Sequence, residues 1–166
     1  MYVRTLYASF LILSLIFLGG CKGKGVDPLD GMVITMDAPY LQSSDITSIP
    51  EGFSAVGNAP WGIIHNGIDF LPAKNLTTFR SVSAGVVSDI SMWKNEISLK
   101  WQVNVRVRFN STYTLEYIFE TFSSNQADGQ AQLSYLNISV GKTLAAGDPI
   151  GQLFTAGSGS HLHLML

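Results

Sequence analysis

The 166-residue chain has three histidines, and they fall in two short segments. One is His65-Asn66-Gly67-Ile68-Asp69. The other closes the chain, Gly157-Ser158-Gly159-Ser160-His161-Leu162-His163-Leu164-Met165-Leu166. A spacing of two puts His161 and His163 on one face of a β-strand and Leu162, Leu164 and Leu166 on the other, because strand side chains alternate. A core strand that presents two imidazoles to a cleft is costly unless something binds them. The bland alternative is a pair of satisfied surface histidines. Upstream, Gly67 and the β-favouring Ile68 and Phe70 argue for a turn running into a strand. Such a strand would carry His65, Gly67 and Asp69 on one face, and a glycine at 67 lets the backbone pass close to something bulky. The competing reading of this segment is a polar turn that caps a strand. Two imidazoles and a carboxylate are ligand types that hold catalytic zinc, with a fourth position for a water whose pKa falls to about 7. Residue types alone leave the set as His65, Asp69 and one of His161 and His163.

These side chains need strands to position them, and the composition supplies strands. Sixteen glycines and six prolines accompany many β-branched and aromatic residues, a strand-and-turn composition. The strongest period-two alternation is Gln102-Val103-Asn104-Val105-Arg106-Val107-Arg108-Phe109. It predicts Val103, Val105, Val107 and Phe109 facing the core and Asn104, Arg106 and Arg108 facing solvent, with Glu96 to Trp101 extending the strand backwards. Further strands are expected at Met32–Met36, after the turn at Gly85, over Thr112–Phe122 and after the turn at Gly147-Asp148-Pro149. Residues 123–129 read as a polar loop, and no helical periodicity stands out beyond the N-terminus. The length suits one domain with a real core. A net charge of -2 with scattered Lys and Arg gives no basic patch, which argues against nucleic acid as a partner.

The N-terminus carries its own signal. Arg4 precedes a continuously apolar or small run, Leu6 to Leu18, which is shorter than the roughly 20 residues of a membrane-spanning helix and ends in small residues as a cleavage region does. Leu18-Gly19-Gly20-Cys21 resembles a bacterial lipobox. That resemblance implies acylation of Cys21, a signal peptide over residues 1–20 and a lipid-anchored lipoprotein in the bacterial cell envelope. Cys21 is the single cysteine, so no intrachain disulfide can form. Residues 21–52, rich in Gly, Pro, Asp and Ser, read as tether and lead-in, and residues 53–166 as the β domain.

His65-Asn66-Gly67-Ile68-Asp69-Phe70 resembles the His-x-Gly-x-Asp motif of the lysostaphin-like (LytM-type) zinc peptidases of bacterial cell walls. Gly157 to His163 is similar to that family's glycine-rich turn and His-Leu-His strand. Gly85-Val86-Val87 and Gly147-Asp148-Pro149-Ile150-Gly151 resemble its intervening pieces, in the same order. The resemblance runs from about Trp61 to Leu166. It implies one zinc ion on His65, Asp69 and His163, with His161 as a catalytic imidazole. The fold it implies is mainly β, a single barrel-sandwich-like domain with an antiparallel β-sheet groove. The activity it implies is hydrolysis of peptidoglycan cross-link peptides. Two features depart from the family. Phe119 stands where its Tyr-x-His-Leu segment has histidine, and Phe109 where many members have another. The family's chain also usually continues beyond the strand that here stops at Leu166. The departure at Phe119 predicts metal binding with weak or absent peptidase activity and a gain on Phe119→His. The alternative is a degenerate cell-wall-binding or regulatory lipoprotein that keeps the metal. An iron oxygenase usually spaces its first pair as His-x-Asp, and a lipoyl-type carrier would leave the histidines unexplained.

Overall fold

The computed structural model describes Asp27, residues 30–31, 34–53 and 65–166. A single turn of 3-10 helix, Ser43–Asp45, leads into β1 (Ile46–Ser48). There follow β2 (Ile68–Pro72), β3 (Thr77–Arg80), β4 (Gly85–Lys94), β5 (Trp101–Arg108), β6 (Thr114–Glu120), α1 (Gln126–Ser134), β7 (Thr143–Leu144), β8 (Pro149–Leu153) and β9 (His161–Met165). Seven strands form one sheet in the order β1-β2-β9-β6-β5-β4-β7, and β3 and β8 pair separately. Every pairing is antiparallel. The architecture is the expected one, a mainly β single domain whose curled antiparallel sheet encloses a groove.

Alternation decides which face holds the core. Val103, Val105 and Val107 of β5, Leu115, Tyr117 and Phe119 of β6, and Leu162 and Leu164 of β9 all bury one face of the sheet. The β3–β8 pair covers that face with Phe79, Ile150 and Leu153. Each fully buried side chain of this size contributes roughly 1.5–3 kcal/mol relative to exposure. Tyr117 is also tied down at its polar end, because the Val82 amide donates to its hydroxyl over 2.8 Å. Burial pushes its phenol pKa above the ordinary 10.0, against the opposing effect of hydrogen bonds with Ser81 and Val82.

The opposite face turned out less open than expected. Gln102 and Asn104 are buried there, Asn104 only 5% exposed, because the sheet curls and its polar face lines a groove. Arg106 and Arg108 do reach solvent. Residues 96–100 do not extend β5. Asn95 closes the β4–β5 hairpin instead, its side-chain oxygen accepting from the amides of Ile97 and Ser98, a local bond that favours a turn over a ladder. Ile34–Met36 form no strand, and Met32 and Val33 lie outside the described residues.

The expected loop over 123–129 is a correction, since residues 126–134 are helical. Its start follows capping chemistry: the Asn125 side chain accepts from the Ala127 amide, and Asp128 sits in the first turn. No apolar period announced it because Leu133 is the one large hydrophobe of the helix that packs against the core. Gly129 lies against Met92 and Trp101. Gln132, fully buried, donates to the Gln152 carbonyl and accepts from the Phe154 amide, each over 2.8 Å.

β1 also ties the lead-in to the domain. It pairs with β2 at Ile46↔Pro72 and Ser48↔Leu71. Three residues further on, the Glu51 carbonyl accepts from the Asp69 amide over 2.9 Å.

Candidate metal centre

Pairing register brings the two histidine segments together. On β2 and β9, Asp69 stands opposite His163, flanked by Ile68↔Leu164 and Phe70↔Leu162. The three leucine and isoleucine partners fix which way the polar residues point, since a one-residue slip would invert every side chain. His65 precedes β2 across a turn and reaches the same place. His163 Nδ1 lies 2.8 Å from Asp69 Oδ1, and His65 Nε2 lies 3.3 Å from the same oxygen. The His65 and His163 rings meet edge to face at 4.8 Å. All three residues are buried, and their ligand atoms lie within 4.8 Å of one another.

Gly67 makes this approach possible. A Cβ there would stand 2.5 Å from His163 Nε2 and 2.6 Å from the Leu164 carbonyl oxygen. The bulky neighbour expected beside Gly67 is therefore the imidazole of His163 itself.

Second contacts orient the rings. His65 Nδ1 is 2.9 Å from the Gly52 carbonyl oxygen, so this nitrogen donates and Nε2 faces the site. His161 Nδ1 is likewise 2.7 Å from the Gly159 carbonyl oxygen, which frees its Nε2. That nitrogen points at Asp69 Oδ1, 3.6 Å away, and at Glu120 Oε1, 3.7 Å away. His65 Nε2, His163 Nδ1 and His161 Nε2 all face the one buried carboxylate oxygen, Asp69 Oδ1, at 3.3, 2.8 and 3.6 Å, and imidazole held by a carbonyl acceptor is the usual state of a metal-ligating histidine. The donor set suits zinc. The group His65–Asp69–His163 fits a metal ion. Burial alone would raise the Asp69 pKa, but the His163 hydrogen bond and the charges of His161, His163 and His65 hold it below its ordinary 3.8.

The glycine-rich turn before β9 aims His161. A Cβ on Gly159 would meet the Phe122 ring at 2.7 Å. Ser160 Oγ donates to the Thr121 carbonyl over 2.7 Å. The turn is thereby clamped to the end of β6, and the His161 ring rests near Phe122.

The centre lies at one end of a groove of about 820 Å³. Cross-strand register lays the groove out in rows. One runs Asp69–His163–Ile118–Asn104–Ser91, the next His161–Glu120–Gln102–Trp93. At about 4.8 Å per strand, Trp93 lies roughly 14 Å from His161, a span that an extended peptide of about four residues would cover.

These rows correct the expectation for Phe119. It is fully buried in the core, edge-on to Phe79, and so faces away from the metal centre. Its neighbours on β6, Ile118 opposite His163 and Glu120 opposite His161, are the residues that face the site. The period of two sends 119 to the other side. Of the other polar side chains on or just before β6, Glu116 binds Arg106 at 2.7 Å, Tyr113 is exposed and Tyr117 is in the core. Glu120 is thus the carboxylate beside His161. Sequence spacing could not separate it from Glu116, which lies on the same face. Cys21 lies outside the described residues.

No family model matches the sequence, and no curated protein matches it. Solved structures do. A zinc-containing peptidase from Vibrio cholerae matches with a TM-score of 0.53 at 19% identity, over 78% of this chain and 36% of that one. Csd3 of Helicobacter pylori matches in two crystal forms with TM-scores of 0.48 and 0.49, each at 20% identity. Those alignments cover 80% and 79% of this chain and 30% and 29% of Csd3. The chain spans about a third of the length of these structures. Its fold is similar to that of part of the zinc-containing peptidase, at 19% sequence identity.

Proposed function

We propose that the protein is a zinc-dependent endopeptidase of the LytM type that hydrolyses peptidoglycan cross-link peptides from a lipid anchor at Cys21 in the bacterial cell envelope. The observation that carries this reading is the convergence of His65, Asp69 and His163, with His161 beside them, at one end of a peptide-sized groove. Zinc held by those three residues supplies Lewis acidity toward water and toward a peptide carbonyl. The chain's own groups handle the proton. His161 Nε2, free because Nδ1 donates to Gly159, accepts a proton from the attacking water. Glu120, 3.7 Å away, stabilises the resulting imidazolium. The same proton then goes to the leaving amine, as general acid–base catalysis requires. The groove floor of Gln102, Asn104 and Ile118 orients an extended peptide across the strands.

A second reading is favoured by one observation. Ile118, an apolar residue, faces the site opposite His163, and after the ligands His161 is the single imidazole left. A protein of this kind would hold metal and cell-wall peptide without cutting. Purified, zinc-loaded protein incubated with peptidoglycan separates the two readings. The endopeptidase reading expects new amino termini by mass spectrometry, lost in His161→Ala with zinc still bound. Binding of peptidoglycan with no cleavage, in parent as in variant, supports the second.

A further inference from the structure

One cation of the groove has no acidic partner. Lys100 immediately precedes β5 and lines the groove, since alternation gives it the face of Gln102 and Asn104. The hairpin turn holds its backbone. Its carbonyl accepts from the Asn95 amide over 2.8 Å, and its amide donates to Ser98 Oγ over 3.3 Å. The side chain is half-buried, and its Nζ lies over the Phe122 ring, 5.6 Å from the centroid. Phe122 is in turn 6.4 Å from the His161 ring. The ammonium therefore stands no more than the total, about 12 Å, from that imidazole. The acids that line the groove are engaged elsewhere: Glu116 binds Arg106, Asp69 faces the histidines, and Glu120 faces His161. Among the described residues Lys100 makes no ion pair.

We propose that Lys100 recognises a free carboxylate on the bound peptide, within about four residues of the bond held at the metal centre. The inference rests on the peptide reading of the groove and deepens it, by making the preferred ligand an acidic peptide. Two observations carry it. The first is the missing partner. An ammonium resting on an aromatic face is held only weakly where water reaches it, and the anions a peptide carries are carboxylates. A carboxylate brought there makes a charge-assisted hydrogen bond, roughly twice as strong as a neutral one, and groove walls of low dielectric strengthen it further. Because Phe122 and the hairpin already hold the lysine, less side-chain freedom is lost on binding. The second is distance. An extended chain rises about 3.4 Å per residue, so a peptide crossing from His161 to Lys100 spends three to four residues on the way. A carboxylate at a chain end and one on a side chain offer the same chemistry to the ammonium.

The test is the affinity of the full, zinc-loaded chain for fluorescently labelled synthetic cross-link peptides, read by anisotropy. One peptide is made with its carboxylates free, with the chain end amidated, with the side-chain carboxylate amidated, and with both amidated. The parent should bind the free form about 10–100-fold more tightly than the fully amidated one. Whichever singly amidated form keeps that advantage identifies the source of the carboxylate. Lys100→Met retains a stem over Phe122 without the charge; it should lose the advantage and bind the fully amidated peptide as the parent does. Lys100→Arg should keep the advantage. Lys94 faces away from the groove that its neighbour Trp93 lines, so Lys94→Met removes an equal charge and should change nothing. A parent that binds free and fully amidated peptides equally overturns the proposal while the peptide reading of the groove stands. A parent that binds none of the four overturns both. If Lys100→Met and Lys100→Arg weaken all four forms alike, the lysine serves packing and the proposal is overturned. Mass spectrometry of the same mixtures tests cleavage independently.

Discussion

Substituting alanine for Gly67 should damage the metal centre more than its single added methyl suggests. The new Cβ would stand 2.5 Å from His163 Nε2, 2.6 Å from its Cε1 and 2.6 Å from the Leu164 carbonyl oxygen. Comfortable separation is about 3.5 Å, so something must retreat by about 1 Å. The carbonyl belongs to the β2–β9 ladder and cannot move alone, since Ile68 pairs with Leu164. The imidazole can turn, but then its 2.8 Å contact with Asp69 is lost. Overpacking of this kind costs about 1–3 kcal/mol, and displacing one of three ligands should weaken metal binding by at least roughly tenfold. Urea unfolding of metal-free protein reads the first quantity, and zinc competition the second. Gly52→Ala is the control, because a Cβ there meets nothing within 4 Å and the carbonyl that holds His65 is retained. A Gly67→Ala protein with parental stability and zinc affinity would refute the reasoning, since it would show that His163 is not held against residue 67.

Three other outcomes are expected. Phe119→His should not create a catalytic group: it buries an imidazole among apolar side chains and removes the contact with Phe79. It should therefore lower stability by roughly 3–5 kcal/mol, and a rise in peptidase turnover would contradict the core assignment. Tyr117→Phe leaves the buried Val82 amide without its acceptor and should cost about 1–3 kcal/mol near neutral pH. Because the folded-state pKa of Tyr117 is raised above 10.0, parental stability from this group is intact below pH 10. It falls as pH rises through 10 toward the folded-state value, as the unfolded chain ionises first. The phenylalanine variant should lack that share of the alkaline loss, measured by unfolding at pH 8 to 11. Cys21→Ser should leave the precursor unprocessed or release the protein into the soluble fraction, because stable anchoring takes more than one acyl chain; unchanged fractionation and mobility would count against lipidation.

Residue type and spacing alone made the histidines legible. The period of two in His161-Leu162-His163 and in residues 102–109 is a property of the strand backbone, so it predicted the buried valines and the shared face of the imidazoles without any tertiary information. Gly67 was legible for the same reason: glycine before a strand of polar and apolar alternation marks a close approach. What the close approach was to, the ring of His163 ninety-six positions away, came only from the β2–β9 pairing. Tertiary structure also decided which residues of β6 face the metal centre. A motif alignment put Phe119 there, but the register of β6 against β9 is set by the apolar partners Tyr117↔Leu164 and Phe119↔Leu162, and it turns Ile118 and Glu120 to the groove. The helix at 126–134 was hidden because it turns only one large hydrophobe, Leu133, to the core, beside a glycine and a glutamine. Glu51 and Gly52 carried no signal at all. They lie in a stretch of weak periodicity, and only the backbone bonds that pin them to Asp69 and His65 join them to the site. Local pattern is written in the chain because side chains alternate along a strand wherever it goes. Long-range contact is not, because it depends on which strands meet, and the whole apolar core determines that.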